Sequence, residues 1–365
     1  MTAEINYQTH ESEKNTSSQT NEAPPAVFAK VITVFAVGFS LFQLCAVWGA
    51  ITPIVLRSIH LGAILVLAFL LHPLGGKKTG GKFTPLFVVD IVLVLASFFC
   101  CFYIVYYLNE IYSRQGDWIT MDIVVGVMAV LLVLEACRRL IGWFMSIICA
   151  FFLLYAFIGP YMPYLFSHKG YSVERIATTL FLTTEGIFGV PLGVAATFVF
   201  IFVLFGAFLE VSGAGNFYIN FAYALTGRFT GGPAKTSVVA SGFMGSVSGS
   251  AVANVVATGS FTIPMMKKVG YRPHMAGAIE SAASTGGQLM PPIMGAGAFL
   301  MAEFTETSYL TIIKIAIVPA FLYYMTVLLF VHFEAKKSGI KGQPKEKLPK
   351  LFTVLKEGIH FILPI

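Results

Sequence analysis

Gly245-Ser246-Val247-Ser248-Gly249-Ser250-Ala251-Val252-Ala253-Asn254 stands between two basic clusters, Arg228/Lys235 before it and Lys267/Lys268 after it. Basic residues of short loops mark the cytoplasmic face of a membrane protein. With both clusters on that face, residues 236–266 must enter and leave the bilayer from one side. The segment is long enough for a hairpin and too rich in Gly and Ser for two ordinary lipid-facing helices, so a re-entrant hairpin is expected. Non-helical backbone at membrane depth survives only where protein or a water-filled cavity surrounds it, and secondary transporters build their sites at such breaks.

Composition identifies the bilayer as the solvent. Of 365 residues, 56% are hydrophobic and 12% charged, and the mean hydropathy is +0.78. A soluble domain carries about 25% charged residues; half of that leaves too little polar surface to face water. The formal net charge of +6 lies in short loops, where it acts as a topology signal rather than a nucleic-acid footprint. Cys45, Cys100, Cys101, Cys137 and Cys149 sit in or beside apolar runs without metal-ligand spacing, so no disulfide framework is implied.

About 20 apolar residues cross a bilayer as a helix. Runs at 26–48, 53–71, 85–108, 119–137, 140–158, 191–209 and 309–330 meet that length. The mixed stretches 173–188 and 213–225 read as interfacial. Residues 1–25 are polar and lack the pattern of a cleaved signal, and they read as a disordered cytoplasmic tail. With the N-terminus in the cytoplasm, Lys77/Lys78/Lys82, Arg138/Arg139 and Lys336 to Lys350 all fall inside, while the loops holding Glu110/Asp117 and Glu303/Glu306 fall outside. Residues 358–365 are apolar but far too short to span, so the sequence reads as a fragment of a longer permease.

Two stretches carry candidate chemistry. In the first, glycines permit left-handed backbone, and the hydroxyls and freed carbonyls are hard oxygen ligands for a small cation. Ser250 and Asn254 share a face if the chain is helical there. A hairpin tip that binds sodium and a small-residue packing interface fit these residues equally. The second stretch is Ser281-Ala282-Ala283-Ser284-Thr285-Gly286-Gly287-Gln288-Leu289-Met290-Pro291-Pro292-Ile293-Met294-Gly295, inside a crossing over 275–302. Gly286-Gly287 and Pro291-Pro292 break that crossing, and the half-helix ends suit an anion and a cation; a kinked packing helix is the competing reading. Glu280 heads this region and is a functional candidate by position. Glu135 with Arg138 and Arg139 reads as snorkelling at a helix end, Glu210 and Asp90 lie near span ends, and Arg57 with His60 reads as an anchor or inter-helix contact.

Enzyme motifs are lacking. No phosphate-binding G-x-x-x-x-G-K-[ST] loop occurs, the nearest being Gly76 to Lys82, which is followed by Phe83. No H-E-x-x-H, CxxC or nucleophile elbow occurs either. A channel would call for a filter-like polar repeat, which the sequence lacks; a non-transporting scaffold would suit 26–158 but has no need of the two broken stretches.

The runs SVSGSAVAN from Ser246, TIPMMKKVGY from Thr262 and ESAASTGGQLMPPIMGAGAFLMAE from Glu280 resemble the membrane permease of tripartite ATP-independent periplasmic (TRAP) transporters in its fused form. That resemblance implies an all-α polytopic protein of the bacterial inner membrane, with small-subunit-like helices over 26–160. From 161 to 365 it implies the first half of an inverted-repeat, elevator-type core with a re-entrant hairpin and a broken helix. It also implies a sodium-coupled importer of small organic anions fed by a periplasmic solute-binding protein, with no cofactor beyond the coupling ion and with proton coupling open. Carried over, Ser246, Ser248, Gly249, Ser250, Asn254, Gly286 and Gly287 face the cation, and Ser284, Thr285, Gln288, Pro291 and Pro292 face the substrate. Many relatives carry Asp where Asn254 stands. A chain with one repeat cannot enclose a substrate, so this polypeptide alone is expected not to transport.

Overall fold

The computed structural model describes residues 26–46, 48, 49, 51–74, 85–344, 346 and 348–362. The tail at 1–25 and Lys77, Lys78, Lys82, Lys345 and Lys347 lie outside the described residues. Every regular element described is helical. Among the described residues, seven helices are long and apolar enough to cross a membrane: Ala29–Ala46, Pro53–Leu71, Leu86–Tyr106, Thr120–Leu140, Trp143–Tyr161, Val190–Val211 and Tyr309–Lys337. They coincide with the seven runs read from the sequence, because the length of an apolar run is fixed by the bilayer and needs no tertiary information. The chain divides into two compact units, Met1–Gly193 and Val194–Ile365.

The first unit contains α1 (Ala26–Ala46), α2 (Pro53–Leu71), α3 (Pro85–Tyr106), α4 (Leu108–Ser113), α5 (Thr120–Leu140), α6 (Trp143–Ile158) and α7 (Val173–Leu182). It runs past the expected boundary at 160 because α7 lays Ala177, Thr178, Phe181 and Leu182 inward and packs on α5. Gly126 makes that approach possible, since a Cβ there would lie 2.9 Å from the Ala177 carbonyl oxygen. Phe69, Ile104, Val125, Leu132, Phe181 and Phe188 form the core. On α3 the pattern of a soluble helix is inverted: Val88, Val92, Leu95 and Phe102 are exposed, while Asp90, Ser97 and Tyr103 are buried. Lipid accepts the apolar face, and the polar groups find each other inside.

Those polar groups are paired. At one end Asp122 caps α5 through Ile119 N at 3.2 Å, receives Arg114 at 2.9 Å on both oxygens, and accepts from Tyr103 at 2.5 Å. Its hydrogen bond holds the Arg114 guanidinium above its ordinary range. At the other end Arg139 reaches Asp90 at 2.6 Å and Glu135 at 2.7 Å. This corrects the reading of Arg139 as a snorkelling side chain: it is buried with Asp90, because a carboxylate on α3 offers more than the interface would. Arg57 donates to the Phe188 carbonyl at 2.7 Å and His60 meets Gln43 at 2.9 Å, so both make contacts between elements.

The second unit takes up the remainder of α8 (Val190–Val211), then α9 (Ala214–Thr226), α10 (Gly232–Ser248), α11 (Ala251–Lys268), α12 (Pro273–Gly286), α13 (Ala296–Phe304), α14 (Tyr309–Lys337) and α15 (Leu351–Ile362). Helix α8 widens to one π-type turn at Ala195–Val199, where Phe200 N bonds to the Ala195 carbonyl. Helices α10, α11 and α12 pack on one another, α14 lies against α10 and α12, and α15 lies on α9. Tyr218 on α9 donates to the Phe361 carbonyl at 3.1 Å, which places the apolar residues at 358–362 within a packed helix.

The Asp90–Arg139 pair yields a test. Removing one member of a buried ion pair strands its partner and costs about 3–5 kcal/mol. Asp90→Ala should lower the unfolding midpoint of the detergent-solubilised protein by several degrees, and Glu110→Ala, at an exposed site, should not. Equal midpoints for the two variants would show that the pair does not hold the unit together.

Candidate functional site

Helix α10 ends at Ser248 and α11 begins at Ala251, so two residues reverse the chain. Gly249 takes φ +60° and ψ 0°, and its N–H closes the last turn on the Gly245 carbonyl at 2.9 Å. Only glycine fits: the left-handed conformation disfavours a Cβ, and a Cβ would lie 2.0 Å from the Met294 carbonyl oxygen. Ser250 then caps α11, its hydroxyl accepting from Ala253 N at 3.3 Å. Segment 236–266 is thus two helices packed side by side about a glycine turn.

Helix α12 stops at Gly286, and regular helix resumes at Ala296. Gly287 N turns to the Ser284 carbonyl, and Gln288, Leu289 and Met290 continue in short turns. A helix end leaves carbonyls without partners, which lipid cannot satisfy. The short turns take up Ser284, Thr285 and Gly286 O, and α14 adds the rest: Tyr324 donates to Ala283 O at 3.1 Å, with Tyr323 donating to Ala282 O at 2.7 Å one residue before. Tyr309 serves the far side of the break, at Pro292 O (2.9 Å) and Ile293 O. Gly286 is needed where the tyrosines pass, since a Cβ would sit 2.5 Å from Tyr323.

The hairpin tip meets this break directly. Ile293 N donates to the Ser246 carbonyl at 3.2 Å. A Cβ built on Gly245 would lie 2.4 Å from the Cα of Gly287 and 3.1 Å from Asn254 Nδ2. Two backbones therefore touch without side chains between them. At the end of α10 the Ser248 hydroxyl is buried and has no hydrogen-bond partner among the described residues. An unmade bond at a buried hydroxyl costs about 1–3 kcal/mol.

The candidate residues divide into three groups. Gly249 and Gly287 lie where tip and break meet, Gly286 lies against Tyr323 and Tyr324, Ser248 closes α10, Pro291 and Pro292 lie within the break, and Gln288 is exposed. Ser246, Ser250 and Thr285 spend their hydroxyls locally, on Phe243 O (2.7 Å), Ala253 N and Ser281 O (2.7 Å); Ser246 contributes through its carbonyl. Asn254 and Ser284 are tied into the interior of the unit, with Asn254 Nδ2 also beside the Gly245–Gly287 contact. Asn254 donates to Ser241 O at 2.8 Å, and Ser284 donates to Glu280 at 3.0 Å.

Behind the tip lies a cluster that the sequence reading touched only through Glu280 and Ser284. The fully buried Glu280 carboxylate accepts from Ser237 at 2.5 Å, Ser241 at 3.0 Å, Thr258 at 2.5 Å, Ser284 at 3.0 Å and Thr262. Ser237/Ser241, Thr258/Thr262 and Glu280/Ser284 are each four residues apart on one helix. That spacing puts each pair on one face, and the three repeated polar pairs were the signal available in the sequence.

Fold and site define a multi-pass membrane protein whose second unit joins a glycine-turned helical hairpin to an interrupted helix. Residues 128–365 match the family model described as "Tripartite ATP-independent periplasmic transporter, DctM component", and the chain belongs to that family. It is a family of transporter permeases, not enzymes, of the bacterial inner membrane. The chain is 30% identical over 184 residues to the C4-dicarboxylate TRAP transporter large permease protein DctM of Vibrio cholerae, covering 50% of this chain and 38% of the relative. It is 30% identical over 152 residues to the isethionate TRAP transporter permease protein DctMQ of Oleidesulfovibrio alaskensis, covering 41% and 24%. It is also 28% identical over 162 residues to the sialic acid TRAP transporter large permease protein SiaM of Vibrio cholerae, covering 44% and 38%. The chain thus spans under half the length of these curated relatives.

The backbone contact between tip and break predicts a matched pair of effects. Gly245→Ala must push two main chains apart and should destabilise the protein by about 1–3 kcal/mol. Gly277→Ala, in the same unit with nothing within 4 Å of the new Cβ, should leave the midpoint unchanged or slightly raised. Thermal unfolding in detergent compares them, and equal behaviour would dissolve the contact.

Proposed function

We propose that the chain is the membrane permease part of a secondary transporter that imports small organic anions such as carboxylates, driven by a cation, sodium, and fed by a periplasmic solute-binding protein. The hairpin, the interrupted helix and the family support this reading, as do relatives named for dicarboxylates, isethionate and sialic acid, all organic anions. The observation that carries the cation part is the buried, unpartnered Ser248 hydroxyl at the end of α10, one residue before the glycine turn. Together with the carbonyls of the glycine turn and the break, it offers the hard, neutral oxygen set that suits an alkali cation. The hairpin is re-entrant in this reading, with the N-terminus cytoplasmic, and the exposed edge at Thr285 and Gln288 faces the anion.

Uptake by the full gene product, reconstituted in proteoliposomes with its solute-binding protein, tests the proposal. Uptake should require both sodium and the binding protein. Ser248→Ala removes one oxygen ligand, worth about 1–1.5 kcal/mol, and should raise the sodium concentration for half-maximal uptake roughly tenfold. Uptake that is indifferent to sodium, or a Ser248→Ala variant with the wild-type sodium curve, would refute the cation assignment.

A further inference from the structure

We infer that Glu280 is the counter-charge of the coupling cation: a negative charge held beneath the tip that sets cation affinity through space without being a ligand. The inference rests on the cation reading above and adds to it a residue that the site otherwise lacks. Glu280 is the only charged residue fully buried among the described residues of the second unit. No Lys, Arg or His pairs with it there; the ion pairs of the described structure lie elsewhere. Burying an isolated charge is expensive unless hydrogen bonds or a partner ion compensate it. Five hydroxyls from three helices supply the hydrogen bonds. The five hydroxyls are donors, and a carboxylate offers them acceptor oxygens alone. Gly259 lets α11 come close to the Glu280 side chain, since a Cβ there would lie 3.2 Å from Glu280 Cγ.

If the cluster served only to pin three helices together, a neutral amide would do so at lower cost. What a carboxylate adds is charge, and its placement gives that charge a target. Thr258, bonded to Glu280, also reaches the Asn254 carbonyl at 2.8 Å. Asn254 Nδ2 in turn lies beside the Gly245–Gly287 contact. Ser241, a second partner of Glu280, precedes Ser248 by seven residues of α10, which is about 10 Å of helix rise. Two unit charges 10 Å apart at an effective dielectric of about 20–40 change an affinity by a factor of roughly 5 to 20. The neutral oxygens at the tip would then set the geometry of the cation, and Glu280 would balance its charge in a medium that has no counter-ions.

Sodium and lithium titrations of the full-length permease in lipid nanodiscs, read by calorimetry, test this, with thermal midpoints taken for every variant. Glu280→Gln should weaken sodium five- to twentyfold and lithium by the same factor, because a charge at a distance does not sense ionic radius. Glu280→Asp should stay within about twofold of wild type. Asn254→Asp places a carboxylate nearer the tip; it should tighten sodium in the wild-type background and restore binding to Glu280→Gln. If Glu280→Gln does not fold, the Asn254→Asp arm decides alone, and unchanged sodium affinity there overturns the inference. Wild-type affinity in Glu280→Gln, or an equal loss in Glu280→Asp, also overturns it. A wild-type protein that binds no sodium defeats the cation reading and this inference together, whereas binding that ignores Glu280 defeats the inference alone.

Discussion

Lipid offers backbone groups no hydrogen bonds, so an interrupted helix at membrane depth survives only if the protein completes it. This constraint organises the second unit. Where α12 stops, α14 sends in Tyr324 to take up the Ala283 carbonyl and Tyr323 to the Ala282 carbonyl beside it, and Tyr309 serves the other side of the break. The hairpin contributes the Ser246 carbonyl to Ile293 N. The break, the hairpin and α14 thus depend on each other, and none of the three can be read as a separate packing element.

The two units handle buried charge differently. In the first, Asp90 and Asp122 each meet an arginine, which is what a rigid bundle requires: charge is cancelled within the protein and leaves nothing for a solute. In the second, Glu280 is surrounded by hydroxyls alone. Neutral donors stabilise a carboxylate without cancelling it, so its field persists beyond the cluster. Among the described residues, the first unit thus cancels its buried charges within the protein, while the second leaves its one fully buried acidic side chain to hydroxyl partners.

The seven spans were legible because span length is a one-dimensional property. The hairpin was legible from the bookkeeping of lysines and arginines, which marks sidedness without any contact information. Partnerships were not. Arg139 read as an interfacial side chain because nothing in one sequence connects it to Asp90, 49 residues earlier on another helix. Asn254 and Ser250 read as a pair facing one ion, but Ser250 is consumed in starting α11 and Asn254 turns to the Ser241 carbonyl. Of the hydroxyls around Glu280 only Ser284 was singled out, and for a different role, because Ser and Thr in apolar helices usually bond their own preceding turn and their convergence shows only in three dimensions.

The bare crossing of Gly245 and Gly287 also limits how such a protein can change its preferences. A position without a side chain, pressed against another such position, has no chemical alphabet to vary: every substitution collides with main chain before it can touch a solute. Variation is therefore channelled to the margins of the crossing, to exposed residues such as Gln288, while the meeting of tip and break stays the same.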